Sequence, residues 1–235
     1  MKKILLAVLF LSTSPLLAQP EIVHQNLYWV RYYNILNFNP KWSLHTEIDT
    51  RHFLSSSNQH QFISHLHLMY KPSKAWFVGG GFSYSLVRPQ LPETRPRPGT
   101  PELRAWQQIG YNWPLAERWS LSGRIRTEER FLSNHTGRFD SDHHFVFRHR
   151  YRVQLTYTLK DQGLTFRLFD EVFLNTFHQN FFDQNRVYIS AEKRFTRSIS
   201  AELGYMDLRQ LSRNAQRLYQ RNILRLTLTH TLRPM

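Results

Sequence analysis

The chain has no cysteine in 235 residues. It is therefore neither a disulfide-stapled secreted domain nor a lipoprotein acylated on an N-terminal cysteine. Past residue 18 it has no apolar run of about twenty residues, which excludes a transmembrane helix. Helical periodicity is missing as well. So are a phosphate-binding glycine loop and a dinucleotide fingerprint. Mean hydropathy is low at −0.51, although 41% of residues are apolar and 14% aromatic. That combination is odd for a soluble domain. It is ordinary where only alternate residues of a strand face lipid.

Residues 1–18 read as a secretory signal. Lys2 and Lys3 form the charged start, Ile4 to Leu11 the apolar stretch, and Ser12 to Ala18 the exit. The apolar part is too short to span a bilayer. Cleavage is expected after Ala18, with Leu16 standing where a small residue is usual. Residues 19–235 are then one domain. Losing Lys2 and Lys3 takes the formal charge from +14 to +12. Export argues against nucleic acid as the anionic partner. It leaves outer-membrane lipids, lipopolysaccharide among them, or a basic lumen, with the barrel-insertion machinery as partner during assembly.

Period-two alternation dominates the rest. Over 42–54, Trp42, Leu44, Thr46, Ile48 and Thr50 oppose Ser43, His45, Glu47, Asp49 and Arg51. Over 75–88, Trp76, Val78, Phe82, Tyr84 and Leu86 oppose Gly79, Gly81, Ser83 and Ser85. Over 143–159, Phe145, Phe147, Tyr151, Val153 and Leu155 oppose Arg148, Arg150, Arg152 and Gln154. Similar stretches fall at 25–37, 60–71, 102–113, 118–132, 163–175, 185–195, 199–211 and 217–233. Their connections alternate between short (Asn39-Pro40-Lys41 and Pro72-Ser73-Lys74 are examples) and longer, with a proline-rich one at 89–101. This predicts an all-β, antiparallel transmembrane barrel of about 10–12 strands in a bacterial outer membrane, with short periplasmic turns and longer outer loops. Eleven stretches are countable. Because bacterial single-chain barrels have even strand numbers, ten or twelve is expected. Trp42, Trp76, Trp113 and Trp119 all lie near short turns, as an interfacial girdle requires.

Three further features resemble one family. Arg126-Thr127-Glu128-Glu129-Arg130-Phe131, Glu102-Leu103-Arg104-Ala105-Trp106 and Arg148-His149-Arg150-Tyr151 stand in the order found in an uncharacterised family of outer-membrane β-barrels, known only as a domain of unknown function. Glu171-Val172-Phe173-Leu174-Asn175, Asn185-Arg186 and Gly204-Tyr205-Met206 extend the resemblance over nearly the whole mature chain. It implies a barrel and an outer membrane, and it supplies no activity or ligand. The 89–101 loop and the C-terminal Arg233-Pro234-Met235 depart from that pattern.

An arginine facing lipid at mid-depth costs about 2–4 kcal/mol. The lumen therefore takes Glu47, Asp49 and Arg51; Glu102 and Arg104; Arg124, Arg126, Glu128 and Arg130; Arg148, Arg150 and Arg152; and Glu171 and Arg186. The first expectation is a lumen packed by Arg–carboxylate pairs. Glu128 would be the shared acceptor of Arg126 and Arg130 on its own strand and of Arg148 and Arg150 on the next. The alternative is a small anion-selective pore, since Arg outnumbers carboxylate. A lipid-modifying enzyme comes third. None of the twelve His is followed two residues later by Ser, the pattern of outer-membrane phospholipases. His65 with His67, or His143 with His144, lack an acid to complete a metal set. No catalytic residue, cofactor or metal is assigned. Asp170 falls in phase with lipid-facing Phe166, Leu168 and Val172, so a β-bulge turning it inward is expected.

Overall fold

The computed structural model describes residues 20–92, 98–139, 142–176 and 180–233. The signal segment 1–18 and the last two residues lie outside them. Eleven strands form the fold: β1 (Glu21–Asn37), β2 (Trp42–Phe53), β3 (Gln59–Tyr70), β4 (Trp76–Val87), β5 (Thr100–Pro114), β6 (Trp119–Ser133), β7 (His143–Leu159), β8 (Leu164–Thr176), β9 (Phe182–Arg194), β10 (Ile199–Leu211) and β11 (Arg217–Leu232). They close into one barrel in sequence order.

The short turns are locally encoded. Asn39 Oδ1 accepts the backbone N–H groups of Lys41 and Trp42, both at 2.9 Å. Ser73 Oγ does the same for Ala75 and Trp76, and Thr196 Oγ1 for Ser198 and Ile199. Each is a short polar side chain imitating a turn hydrogen bond. The β7–β8 turn needs a left-handed residue and has Gly163 there, at φ 61°.

All neighbours pair antiparallel except the closing pair. There β1 runs parallel to β11, from Glu21 opposite Arg217 to Leu36 opposite Leu232. The parity expectation of ten or twelve strands is thus corrected to eleven. An odd number of up-and-down strands cannot close without one parallel pair, and this chain accepts it. Both seam strands start at the rim that carries the longer connections, where the Glu21 N–H donates to the Gln216 carbonyl.

The barrel is inside-out relative to a soluble domain. Phe82 is 70% exposed and Leu203 62%, whereas Arg148 is 5% exposed and Glu128 2%. Large apolar residues form the outer wall and charged ones fill the interior, the distribution a lipid-facing strand surface imposes. Asp170 departs from it and from the expected bulge. The β8 register is regular there, with Asp170 opposite Val153 and Val187. The irregularity comes three residues later, between Phe173 and Leu174. Asp170 therefore points outward, at the midpoint of its strand, and accepts a 2.6 Å hydrogen bond from Asn185 Nδ2.

Candidate functional site

Charged groups dominate the lumen. On β5 to β9, three buried carboxylates bind arginines, and Arg150 bridges two of them. Glu102 holds Arg104 at 2.6 Å and also Arg130. Glu128 holds Arg148 and, at 2.7 Å, Arg150. Glu171 holds Arg150 at 2.9 Å and also Arg124. Arg148 reaches on to Asp183 at 3.2 Å. Register explains the choice of partners, because residues directly opposite or diagonal on neighbouring strands are within reach. Glu128 faces Arg148, and Arg150 is its diagonal.

The same register corrects the expectation that Glu128 serves four arginines. Arg126 lies opposite Gln108 on β5 and donates to its Oε1 at 2.7 and 3.0 Å. Arg130 lies diagonal to Glu102 and pairs there. Both turn away from Glu128 toward β5. Arg51 pairs with Asp49 at 2.9 Å, two residues along one face, and Glu47 pairs with Arg31 at 3.2 Å. A second knot joins Arg167, Glu192, Glu202 and Arg225, with the Tyr188 hydroxyl donating to Glu202 at 2.7 Å. Tyr188 lies across Gly204, where any Cβ would collide with its ring.

An apolar patch lies among these charged groups: Leu27, Trp29, Phe53, Phe169, Tyr188, Met206, Leu208 and Ile223 form one buried cluster. Trp29 and Trp106 differ from the other four tryptophans, which are exposed. They keep the phase of Arg31 and Arg104 and point inward as platforms. The Arg51 guanidinium stacks on Trp29 at 3.7 Å, and that of Arg126 on Trp106 at 3.9 Å. Trp42, Trp76, Trp113 and Trp119 are exposed at the short-turn ends of their strands. Their rings pack on Tyr70, Tyr111, again Tyr111, and Tyr157.

Packing does not fill the interior. A cavity of about 740 Å³ reaches from Gln90 and His60 at the long-loop rim to Thr196–Ile199 in a short turn. Arginines are more than twice as numerous as carboxylates in its lining. Its long-loop end is narrowed by Gln90, in the connection after β4. Gln90 accepts from Arg221 of β11 at 2.7 Å and contacts His60 of β3 at 3.1 Å. Its backbone carbonyl accepts from Gln25 of β1 at 2.6 Å. The described part of the proline-rich loop thus folds over the mouth and is tied to three strands.

His65 bonds to Ser83, and His67 packs between His45 and Trp106. Among the described residues no group of three or more His, Asp or Glu is placed to hold a metal ion.

Among solved structures the chain is similar to the NanC porin, with a TM-score of 0.51, 14% identity, 83% of this chain covered and 92% of that one. It is also similar to the outer-membrane OmpT of Vibrio cholerae, with a TM-score of 0.39, 11% identity, and 75% and 58% covered. The likeness to the porin speaks to the fold alone: a transmembrane type of β-barrel. No curated relative matches the chain in sequence. A family model described as a protein of unknown function, DUF2490, matches residues 26–219, and the chain belongs to that family.

Proposed function

We propose that this protein resides in the outer membrane of a Gram-negative cell, exported by its 1–18 signal, and admits small anions into an arginine-lined lumen. The observation that carries the reading is the cavity joining the two rims with arginine in large excess over carboxylate. Rings and rows of guanidinium favour anions and repel cations, all the more where low-dielectric walls focus the field. The Arg–carboxylate ladder narrows the passage and holds the remaining arginines in fixed positions, so permeation is slow and limited to small solutes. Net stabilisation is not its main effect, since desolvation offsets most of what a buried ion pair gains. In this reading the exposed tryptophans at the short-turn ends serve as the periplasmic girdle, and the exposed Arg209 and Arg213 near the other rim meet lipopolysaccharide phosphates.

Flux measurement tests this. Proteoliposomes holding the full mature chain should take up a small monocarboxylate faster than a primary amine of similar size, and the preference should shrink as salt rises. Equal uptake of both solutes, or uptake no faster than in empty liposomes, would remove the reading.

A further inference from the structure

Nearly every half-buried or buried lumen arginine has a partner. Most are paired with a carboxylate, while Arg126 and Arg221 are held by glutamine side chains. Arg152 and Arg186 are different. Among the described residues neither has a carboxylate or a hydrogen-bond acceptor, and both line the cavity. Arg186 Nε is buried without any partner.

The two sit in one register row. Arg152 on β7 and Arg186 on β9 both lie directly opposite Glu171 on β8. Neighbouring strands are about 4.8 Å apart, so the two Cα atoms stand about 10 Å from each other. Glu171 is engaged elsewhere: both its oxygens accept from Arg150 and one also from Arg124, and neither Arg152 nor Arg186 hydrogen-bonds to it. Aromatic rings are their neighbours instead. Arg152 lies over Phe169 at 5.3 Å, and Arg186 over Phe173 at 4.5 Å and Trp29 at 5.5 Å. A ring supplies no carboxylate or carbonyl acceptor, and the planar fork of guanidinium donors matches an oxyanion. A guanidinium partly out of water and without an acceptor is costly. An anion arriving at the row relieves that cost.

We infer that Arg152 and Arg186 form an oxyanion-binding site at the Glu171 row, selective for small carboxylates or phosphate over halide. The inference rests on the anion-admitting lumen proposed above and names its ligand class and residues. The carboxylate and phosphate sources share the same donor chemistry, and titration separates them.

Isothermal titration of the full mature chain folded in detergent provides the test, at constant ionic strength, with succinate, phosphate and chloride as probes. Succinate or phosphate should bind at least tenfold more tightly than chloride, and whichever is tighter identifies the source. Arg152→Gln and Arg186→Gln should each weaken oxyanion binding tenfold or more, while Lys160→Gln in the exposed β7–β8 turn should leave it unchanged. Removing an unpaired charge should not impair folding, which heat-dependent gel mobility checks. Arg186→Lys keeps the charge without the fork, so it should recover only part of the affinity. No oxyanion binding, equal binding of chloride, or unaltered binding in both Gln variants would overturn the site. Oxyanion binding without any flux would keep the site and remove the passage. Selective flux that neither Gln variant alters would do the reverse.

Discussion

Glu128 is 2% exposed and anchors two arginines from the neighbouring strand. Glutamine there keeps the shape but leaves Arg148 and Arg150 with one carboxylate fewer in a site water barely reaches. Breaking one partner of a buried ionic cluster costs about 3–5 kcal/mol, against about 0–1 kcal/mol for an exposed pair. Glu128→Gln should therefore unfold at clearly lower denaturant, and Glu117→Gln, on an exposed turn, at the wild-type concentration. Equilibrium unfolding in detergent followed by tryptophan fluorescence decides it, and coincident midpoints would mean the ladder does not hold the lumen. Asp170 is the contrasting residue: an acid at mid-strand on the outer wall, with one amide partner in Asn185. Asp170→Asn keeps a polar group without the charge a lipid face disfavours, so it should raise the unfolding midpoint modestly.

At the scale of the element, Gln90 in the connection after β4 narrows the long-loop end of the lumen. Gln90 holds that connection down through three hydrogen-bonded contacts to β1, β3 and β11. Gln90→Ala removes the two side-chain contacts and frees Arg221 Nη2. Single-channel recording should find small or brief currents in the wild-type protein and larger, longer ones in the variant; identical recordings would show that this loop does not limit access. Strand positions and faces were legible because a period of two leaves each residue only two choices. Lipid on one side makes the choice costly to reverse. What alternation cannot convey is how strands are matched. The diversion of Arg126 to Gln108 and of Arg130 to Glu102 is set by register between β5 and β6. The inward turn of Trp29 and Trp106 follows from the same alternation, since both share the phase of an inward arginine. The bulge expected at Asp170 failed for a different reason. A single polar residue out of pattern does not reveal whether the backbone or the energetics yields.

For the molecule as a whole, eleven strands were countable but conflicted with the even-number expectation; the parallel seam that resolves the conflict is visible only in the closure itself. Since the chain has no native cysteine, the seam can be probed cleanly. Tyr28 and Leu224 face outward directly opposite each other, so the pair Tyr28→Cys and Leu224→Cys should cross-link on mild oxidation. Tyr28→Cys with Leu232→Cys, eight residues out of register, should not. The reverse pattern would exclude the parallel closure. The seam, the ladder and the loop together surround one cavity whose lining is strongly cationic, and the account depends above all on the sign of what that cavity passes. Reversal potential across a potassium chloride gradient measures it, recorded on the Gln90→Ala variant so that current suffices. The account predicts a potential displaced toward the chloride equilibrium value. A displacement toward the potassium value, or none at all, would contradict it.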